Sequence, residues 1–172
     1  MARSFISVEF PSFAGIEVET SERGIRRVKF LSDEQINGSY QLRGKVYDDG
    51  SPVSFELLSV ARLQLLEYFR GRRKSFSLPL DLKDATPFQT RVWNILRVIP
   101  YGTTMTYGEV AVRAGSPGAS RAVGNACAKN PVPIIIPCHR VIRSDGGLGG
   151  FTGGSGIKES LLRHEKNPLF FG

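Results

Sequence analysis

Cysteine and histidine are scarce in this chain, with two of each among 172 residues. Cys127 and Cys138 are too few to staple a domain of this size. Neither they nor the two histidines show Cys-x2-Cys or His-x3-His spacing, so no metal site is expected. Long apolar runs are missing as well. Ile134-Ile135-Ile136 is as long as a pure run becomes, far short of a membrane span. The opening residues, MARSFISVEF, hold no extended apolar stretch and no small-residue cleavage site. These absences predict a cytoplasmic, reducing setting without membrane association, where a free thiol stays reactive. Acidic residues are in deficit too: 16 Asp plus Glu stand against 23 Lys plus Arg, for a net charge of +7. A balance that basic favours an acidic partner, nucleic acid being the usual one, although charge alone fits an ordinary basic protein equally well. Core material is not lacking. At 41% hydrophobic the chain suits one ordinary domain or two small ones, and disordered or fibrous classes are excluded.

The first half reads as short strands followed by a helix. Phe5 to Phe10, Gly15 to Glu19 and Ile25 to Leu31 alternate apolar and polar, the period of half-buried strands. Ser21-Glu22-Arg23-Gly24 is a hairpin turn between the last two. Gln41 to Val46 is a further candidate strand before the turn signal Asp48-Asp49-Gly50. The period then changes: Phe55, Leu58, Leu63, Leu66 and Phe69 stand at helical spacing, with Gly71 as the stop. Nothing here concentrates reactive side chains. The polar, proline-bearing stretch Leu78 to Thr86 is the candidate boundary, giving a scaffold domain over 1–82 and a second domain over 83–172.

Beyond that boundary the chain turns helical. Thr86 and Pro87 suit N-cap and first helical position, with Phe88, Val92, Ile95, Leu96 and Ile99 as the buried face. Pro100-Tyr101-Gly102 ends that helix. A second opens with the capping box Thr106-x-x-Glu109 and closes at Gly115. A third begins near Gly118 or Ala119 and runs to Ala128. Two helices joined by Gly-Ser-Pro-Gly make a helix-turn-helix pattern, a weak signal alone because many helical hairpins bind nothing. The third helix is rich in small residues: Ala119, Ala122, Val123, Gly124, Ala126, Ala128. Tight core packing explains that composition, and so does a smooth face entering a DNA groove with Arg121 as its probe.

Chemistry concentrates in Pro137-Cys138-His139-Arg140, delivered by an apolar run between prolines. A thiol is a weak nucleophile until ionised, and basic or cationic neighbours lower its pKa, so Cys138 beside His139 and Arg140 is a candidate activated thiolate. Sequence neighbours often face opposite ways, so the dipeptide alone does not decide. The glycine-rich stretch from Asp145 to Gly154 lacks the Gly-Lys-Ser/Thr ending of a phosphate loop. It is either a surface loop or a pocket wall whose backbone approaches a flat ligand. A last helix, Ile157 to Glu165, turns Leu161 and Leu162 inward and ends on His164-Glu165, either of which could orient an imidazole.

Pro137-Cys138-His139-Arg140-Val141-Ile142, preceded by Asn130-Pro131-Val132-Pro133, resembles the active-site signature of the O6-alkylguanine-DNA alkyltransferases. The resemblance extends through Pro87 to Trp93, Ile99 to Gly102, Thr106-Tyr107, Ser120 to Gly124 and Leu161 to Glu165, in the family's order and spacing. It implies an α+β protein: a small N-terminal antiparallel sheet-plus-helix domain, then a mostly helical C-terminal domain with a winged helix-turn-helix-like DNA-binding motif. It also implies direct-reversal repair, one alkyl group passing irreversibly from O6 of a flipped-out guanine to Cys138, with no cofactor. Within it, His139 acts through a water as base, Glu165 orients the imidazole, and Tyr107 helps rotate the phosphate and supplies a proton to the leaving guanine. Arg121 fills the gap in the base stack, while Ala119, Ala122, Gly124 and Thr106 lie at the minor groove. Asn130 braces the hinge; Phe151, Thr152 and Val141 belong to the alkylguanine pocket. Double-stranded DNA is then the partner of a monomer that needs no other protein.

Two departures matter. Phe151 stands where some members carry tyrosine, and the N-terminal half has no cysteine for the structural zinc of some relatives. Cys127 matches no family role and reads as a small buried apolar residue. The alternative within the family is an alkyltransferase-like protein that binds the lesion without repairing it; those replace the cysteine that Cys138 retains here. A cysteine hydrolase would need an oxyanion hole and acyl site for which nothing argues. A simple repressor would leave Pro-Cys-His-Arg unexplained.

Overall fold

The computed structural model describes residues 2–37, 46–47 and 51–166. It divides into two compact units at Leu82/Lys83. In the first, β1 (Ala2–Phe10), β2 (Phe13–Ser21) and β3 (Gly24–Leu31) form an antiparallel meander. A short helix α1 (Asp33–Asn37) follows, and β4 (Val46–Tyr47) pairs with the free edge of β1. The candidate strand over 41–46 falls, except for Val46, outside the described residues, as does the turn at 48–50. The alternation expected from sequence holds only in part. Ile16 and Val18 are buried two apart on β2, but Ile25, Val28 and Leu31 on β3 are buried three apart, with a register shift between the two strands opposite Glu19 and Thr20.

Helix α2 (Pro52–Phe69), capped by the Ser51 hydroxyl, covers that sheet. Its buried stripe is Ser54, Leu58, Ala61, Leu65 and Tyr68, stepping by four and three residues. This corrects the stripe expected from sequence: Phe55 and Leu63 are 45% and 58% exposed. The small Ser54 and Ala61 are what allow the helix close to the strands. Phe10, Phe13 and Phe69 close one end of the core, with ring centroids 4.9 to 5.7 Å apart. The stretch expected as a plain connector is partly ordered: the Ile25 N–H donates to the Pro79 carbonyl at 2.8 Å and the Asp81 N–H to Ile25 at 3.0 Å.

The second unit opens with α3 (Pro87–Arg97), whose Thr86/Gln89 capping box is complete. Val92, Trp93 and Leu96 are buried, while Phe88 and Ile95 are only half-buried. Next come β5 (Met105–Thr106), α4 (Tyr107–Arg113) and α5 (Ser120–Ala128). Gly115 and Gly118, at φ of 68° and 83°, make the turn between the two helices. The Trp93 indole donates to the Ala126 carbonyl at 2.9 Å, fixing α5 against α3. After α5 the chain forms a tight buried excursion to Pro137, a single 3-10 turn at Cys138–Arg140, and β6 (Val141–Ile142). Strands β5 and β6 pair in parallel. That pair links the entry of the helix-turn-helix directly to the Cys-His-Arg turn. Helix α6 (Ser155–Lys166) packs on the same turn.

Candidate active site

Cys138 is 4% exposed, and the side-chain amide of Asn130 donates to its sulfur at 3.1 Å. The same amide reaches the Ile136 carbonyl at 2.8 Å, and the Asn130 carbonyl oxygen accepts from Val132 N–H at 3.0 Å. One side chain therefore ties the end of α5 to the excursion and to the sulfur. The excursion is strained: Ile134, a buried β-branched residue, sits at φ 73°. Such a conformation costs on the order of 1–3 kcal/mol and persists only where packing imposes it. Prolines at 133 and 137 narrow the alternatives on either side.

The sulfur is not a preformed thiolate. Burial pushes the Cys138 thiol up to about 11, despite the opposing amide of Asn130 and the charge of Lys158. The expectation that Arg140 would ionise Cys138 is also corrected. Its guanidinium turns to Glu165, meeting the carboxylate at 2.8 to 3.2 Å, and donates to the Ile99 carbonyl at 2.6 Å. His139 follows, its Nε2 2.8 Å from Glu165 Oε1, and the Gly102 N–H completes the set at 3.0 Å. Burial favours a protonated Glu165, but the bonds and charges of His139 and Arg140 outweigh it and hold the carboxyl well below the usual range. Burial also lowers the His139 pKa, against the pull of Glu165. A neutral imidazole bonded to a carboxylate carries its proton on Nε2. Nδ1, fully buried and without a partner among the described residues, then presents a lone pair.

Lys158 is a buried residue that the sequence did not flag. It has no exposed surface, and its ammonium donates to the carbonyls of Val141, at 2.6 Å, and Leu148, beneath the Tyr107 ring at 5.7 Å. It pins the glycine-rich segment to β6. Burial lowers its pKa, opposed by Cys127 and Cys138. The only signal in sequence would have been a lysine at an inward position of the last helix, beside Ile157 and before Leu161. Gly149 explains part of the glycine richness: at φ 69°, a Cβ there would stand 2.9 Å from the Tyr107 hydroxyl. That hydroxyl is 3.5 Å from the Gly150 carbonyl, and burial raises its pKa to about 12.

Tyr107, Arg121, Gly124, Gly149, Phe151 and Thr152 line a cleft of about 850 Å³, joined by Asn125 and Arg143, which the sequence did not flag. Cys138 is not part of its lining. Thr152 donates to the Ala128 carbonyl at 2.7 Å, joining the loop to the end of α5. Helix α5 resolves its two readings by face. Val123, Ala126 and Cys127 are buried, whereas Arg121, Ala122, Asn125 and Ala128 are exposed and Gly124 is half-exposed. Ala119 is the N-cap, without a side-chain bond, and Thr106 caps α4 through Glu109. Val141 is buried in β6. Cys138, His139, Glu165 and Asn130 thus form one buried cluster, while Tyr107, Arg121, Phe151 and Thr152 converge on the cleft. Among the described residues no cluster of ligating side chains could hold a metal, and no helix is long and apolar enough to cross a membrane.

Fold and site define an α+β protein in which a helix-turn-helix and a cleft adjoin a buried cysteine flanked by a Glu-His pair. Comparison with known proteins gives that class its family. The model of the 6-O-methylguanine DNA methyltransferase DNA-binding domain matches residues 87–167, and that of the family's ribonuclease-like domain matches 12–82. The methylated-DNA--protein-cysteine methyltransferase of Methanosarcina acetivorans is 52% identical over 110 residues, 64% of this chain and 70% of that protein. The crystal structure of Mycobacterium tuberculosis OGT in complex with DNA is 37% identical, covers 95% of this chain and 92% of its own, and has a TM-score of 0.76. The O6-methylguanine-DNA methyltransferase of Pyrococcus kodakaraensis follows at 27% identity, with 95% and 98% covered and a TM-score of 0.64. The chain belongs to the 6-O-methylguanine DNA methyltransferase family.

Proposed function

We propose that this protein repairs DNA by direct reversal, moving one alkyl group from O6 of guanine onto Cys138. The observation that carries the reading is the buried line from Glu165 to His139 to the turn bearing Cys138, beside a cleft walled by helix-turn-helix residues. In the reaction the Cys138 proton passes, through a water, to Nδ1 of His139, and Glu165, held in place by Arg140, stabilises the imidazolium. The sulfur attacks the alkyl carbon and a C–S bond forms as the C–O bond breaks. The electron pair of that bond stays with guanine, which takes a proton from the Tyr107 hydroxyl. A thioether does not return its alkyl group, so each molecule acts once and needs no cofactor.

A sulfur this buried cannot reach a base inside the stack, so the guanine must be flipped into the cleft. The exposed small-residue face of α5, with Thr106 and Ala119 near its approach, suits close contact with the minor groove. Arg121 takes the emptied place in the stack. Phe151, Thr152 and the Val141 backbone frame the base, and Asn130 holds hinge and sulfur together. Residues 83–172 are then the DNA-binding, alkyl-accepting domain and 1–82 its scaffold, in a cytoplasmic monomer. Intact-protein mass spectrometry after incubation with excess duplex containing one O6-methylguanine tests this. A gain of one methyl group, ending at one equivalent and mapping to Cys138, is expected. Tight lesion binding without mass gain would instead identify a sensor.

A further inference from the structure

Arg70-Gly71-Arg72-Arg73-Lys74 places four cations in five residues, within a half whose 12 Lys plus Arg and 11 Asp plus Glu nearly balance only because of them. Cations after a helix commonly serve its last carbonyls. Here the main chain does that instead. Arg70 N–H donates to Leu66 at 3.0 Å, Gly71 N–H to Tyr68 at 2.9 Å, and Arg72 and Arg73 N–H to Glu67 at 2.8 and 3.2 Å. Gly71, at φ 68°, makes the reversal. Arg73 is committed internally, its Nε on the Glu67 carboxylate at 2.7 Å and its Nη1 on the Ser75 carbonyl at 3.1 Å. Arg70, Arg72 and Lys74 are exposed around it. Among the described residues neither the Arg70 nor the Arg72 guanidinium meets a carboxylate. Two planar forks on a hydrogen-bonded turn are suited to phosphate oxygens.

We propose that Arg70, Arg72 and Lys74 form a second site for the phosphate backbone of duplex DNA, additional to the helix-turn-helix and indifferent to the lesion. The inference rests on the repair reading only for the identity of the polyanion. The test uses the full chain, an undamaged duplex several helical turns long, and fluorescence anisotropy across a salt series. Arg70→Ala/Arg72→Ala is expected to make log Kd against log salt shallower by about 1.8, roughly 0.9 for each phosphate contact released. Its melting temperature and its rate of methyl transfer at saturating lesion duplex should stay unchanged. Arg70→Glu/Arg72→Glu should weaken binding further. Equal slopes for wild type and both variants, with transfer intact, overturn the patch alone. A shallower slope in a protein that never accepts methyl leaves the patch standing and overturns the repair reading; a wild type that does not bind duplex overturns both.

Discussion

The two units are close in length and opposite in how they treat charge. Residues 1–82 carry 12 Lys plus Arg against 11 Asp plus Glu; residues 83–172 carry 11 against 5, so nearly all the net charge lies in the second. Their interiors differ in the same direction. The first is held by aliphatic side chains and the Phe10, Phe13, Phe69 cluster; its buried carboxylates Glu19 and Asp81 have separate partners, Arg3 and the Ser21 hydroxyl, and Thr20 and Gln64 are bonded to nearby backbone or hydroxyls. The second buries Asn130, His139, Arg140, Lys158, His164 and Glu165. Burying ions is costly, and replacing them by apolar residues often costs nothing in stability. Their concentration around one thiol is the mark of chemistry rather than of folding.

That contrast can be broken most severely at the sulfur. Cys138→Ser should abolish methyl acceptance while Cys127→Ser retains it, although both cysteines are buried and the Cys127 thiol is pushed up to about 12. Mass spectrometry after incubation with lesion duplex decides, and uptake on Cys127 would end the assignment. Glu165→Gln comes next. It removes the negative charge and one of the two acceptor oxygens that His139 and Arg140 share, so single-turnover transfer should slow by roughly 10²- to 10⁴-fold. Breaking a buried pair also costs on the order of 3–5 kcal/mol, visible as a lower melting temperature. A normal rate in the folded variant would refute the relay.

Lys158→Met tests whether the pocket wall needs its pin. Loss of the bonds to Val141 and Leu148 should cost about 10² in rate through misplacement of the segment around Gly149. The same variant should be nicked faster by protease within 143–154. Equal protection would leave Lys158 without a positioning role. In the other unit, Leu65→Ala should cost roughly 2–5 kcal/mol of stability. Its folded molecules should still accept methyl at nearly the parent rate. Stability and reactivity would then separate by unit, and a matched loss of both would erase the distinction.

Much of this was legible before any coordinates, for physical reasons. Apolar-polar patterning marked strands β1 to β3, although burial along β3 steps by three rather than two, and the N-cap Thr86 before Pro87 and the capping box at Thr106 announce their helices. The candidates Cys138, His139 and Glu165 could be singled out from residue chemistry, though only resemblance singled out Tyr107 and joined Glu165 to a histidine 26 positions earlier. What stayed hidden depends on direction rather than type. Arg140 follows Cys138 by two residues, yet the 3-10 turn swings it to Glu165. Helix α2 offered two apolar stripes, and the one containing the small Ser54 and Ala61 won because it lets the helix approach the sheet. Lys158 was invisible because a lysine on a helix is nearly always solvated.

The smallest expected effect is an absence of change. With the Cys138 thiol at about 11 and the His139 pKa below its ordinary 6.5, the pair stays thiol and neutral imidazole between those limits. Transfer measured in a single turnover should therefore be flat between about pH 7 and 9. A rate rising tenfold per pH unit there would mean that hydroxide, not His139, takes the proton. On the acid side the rate should fall only below pH 6.5, as the imidazole charges. Stability should erode in the same direction. Both His139 and Glu165 have folded pKa values depressed below 6.5 and 4.5, so their contribution is complete above those values and is lost as pH falls through them. Because both groups lie in the second unit, Leu65→Ala should shift the acid unfolding curve without changing its shape, whereas Glu165→Gln should flatten its limb below 4.5.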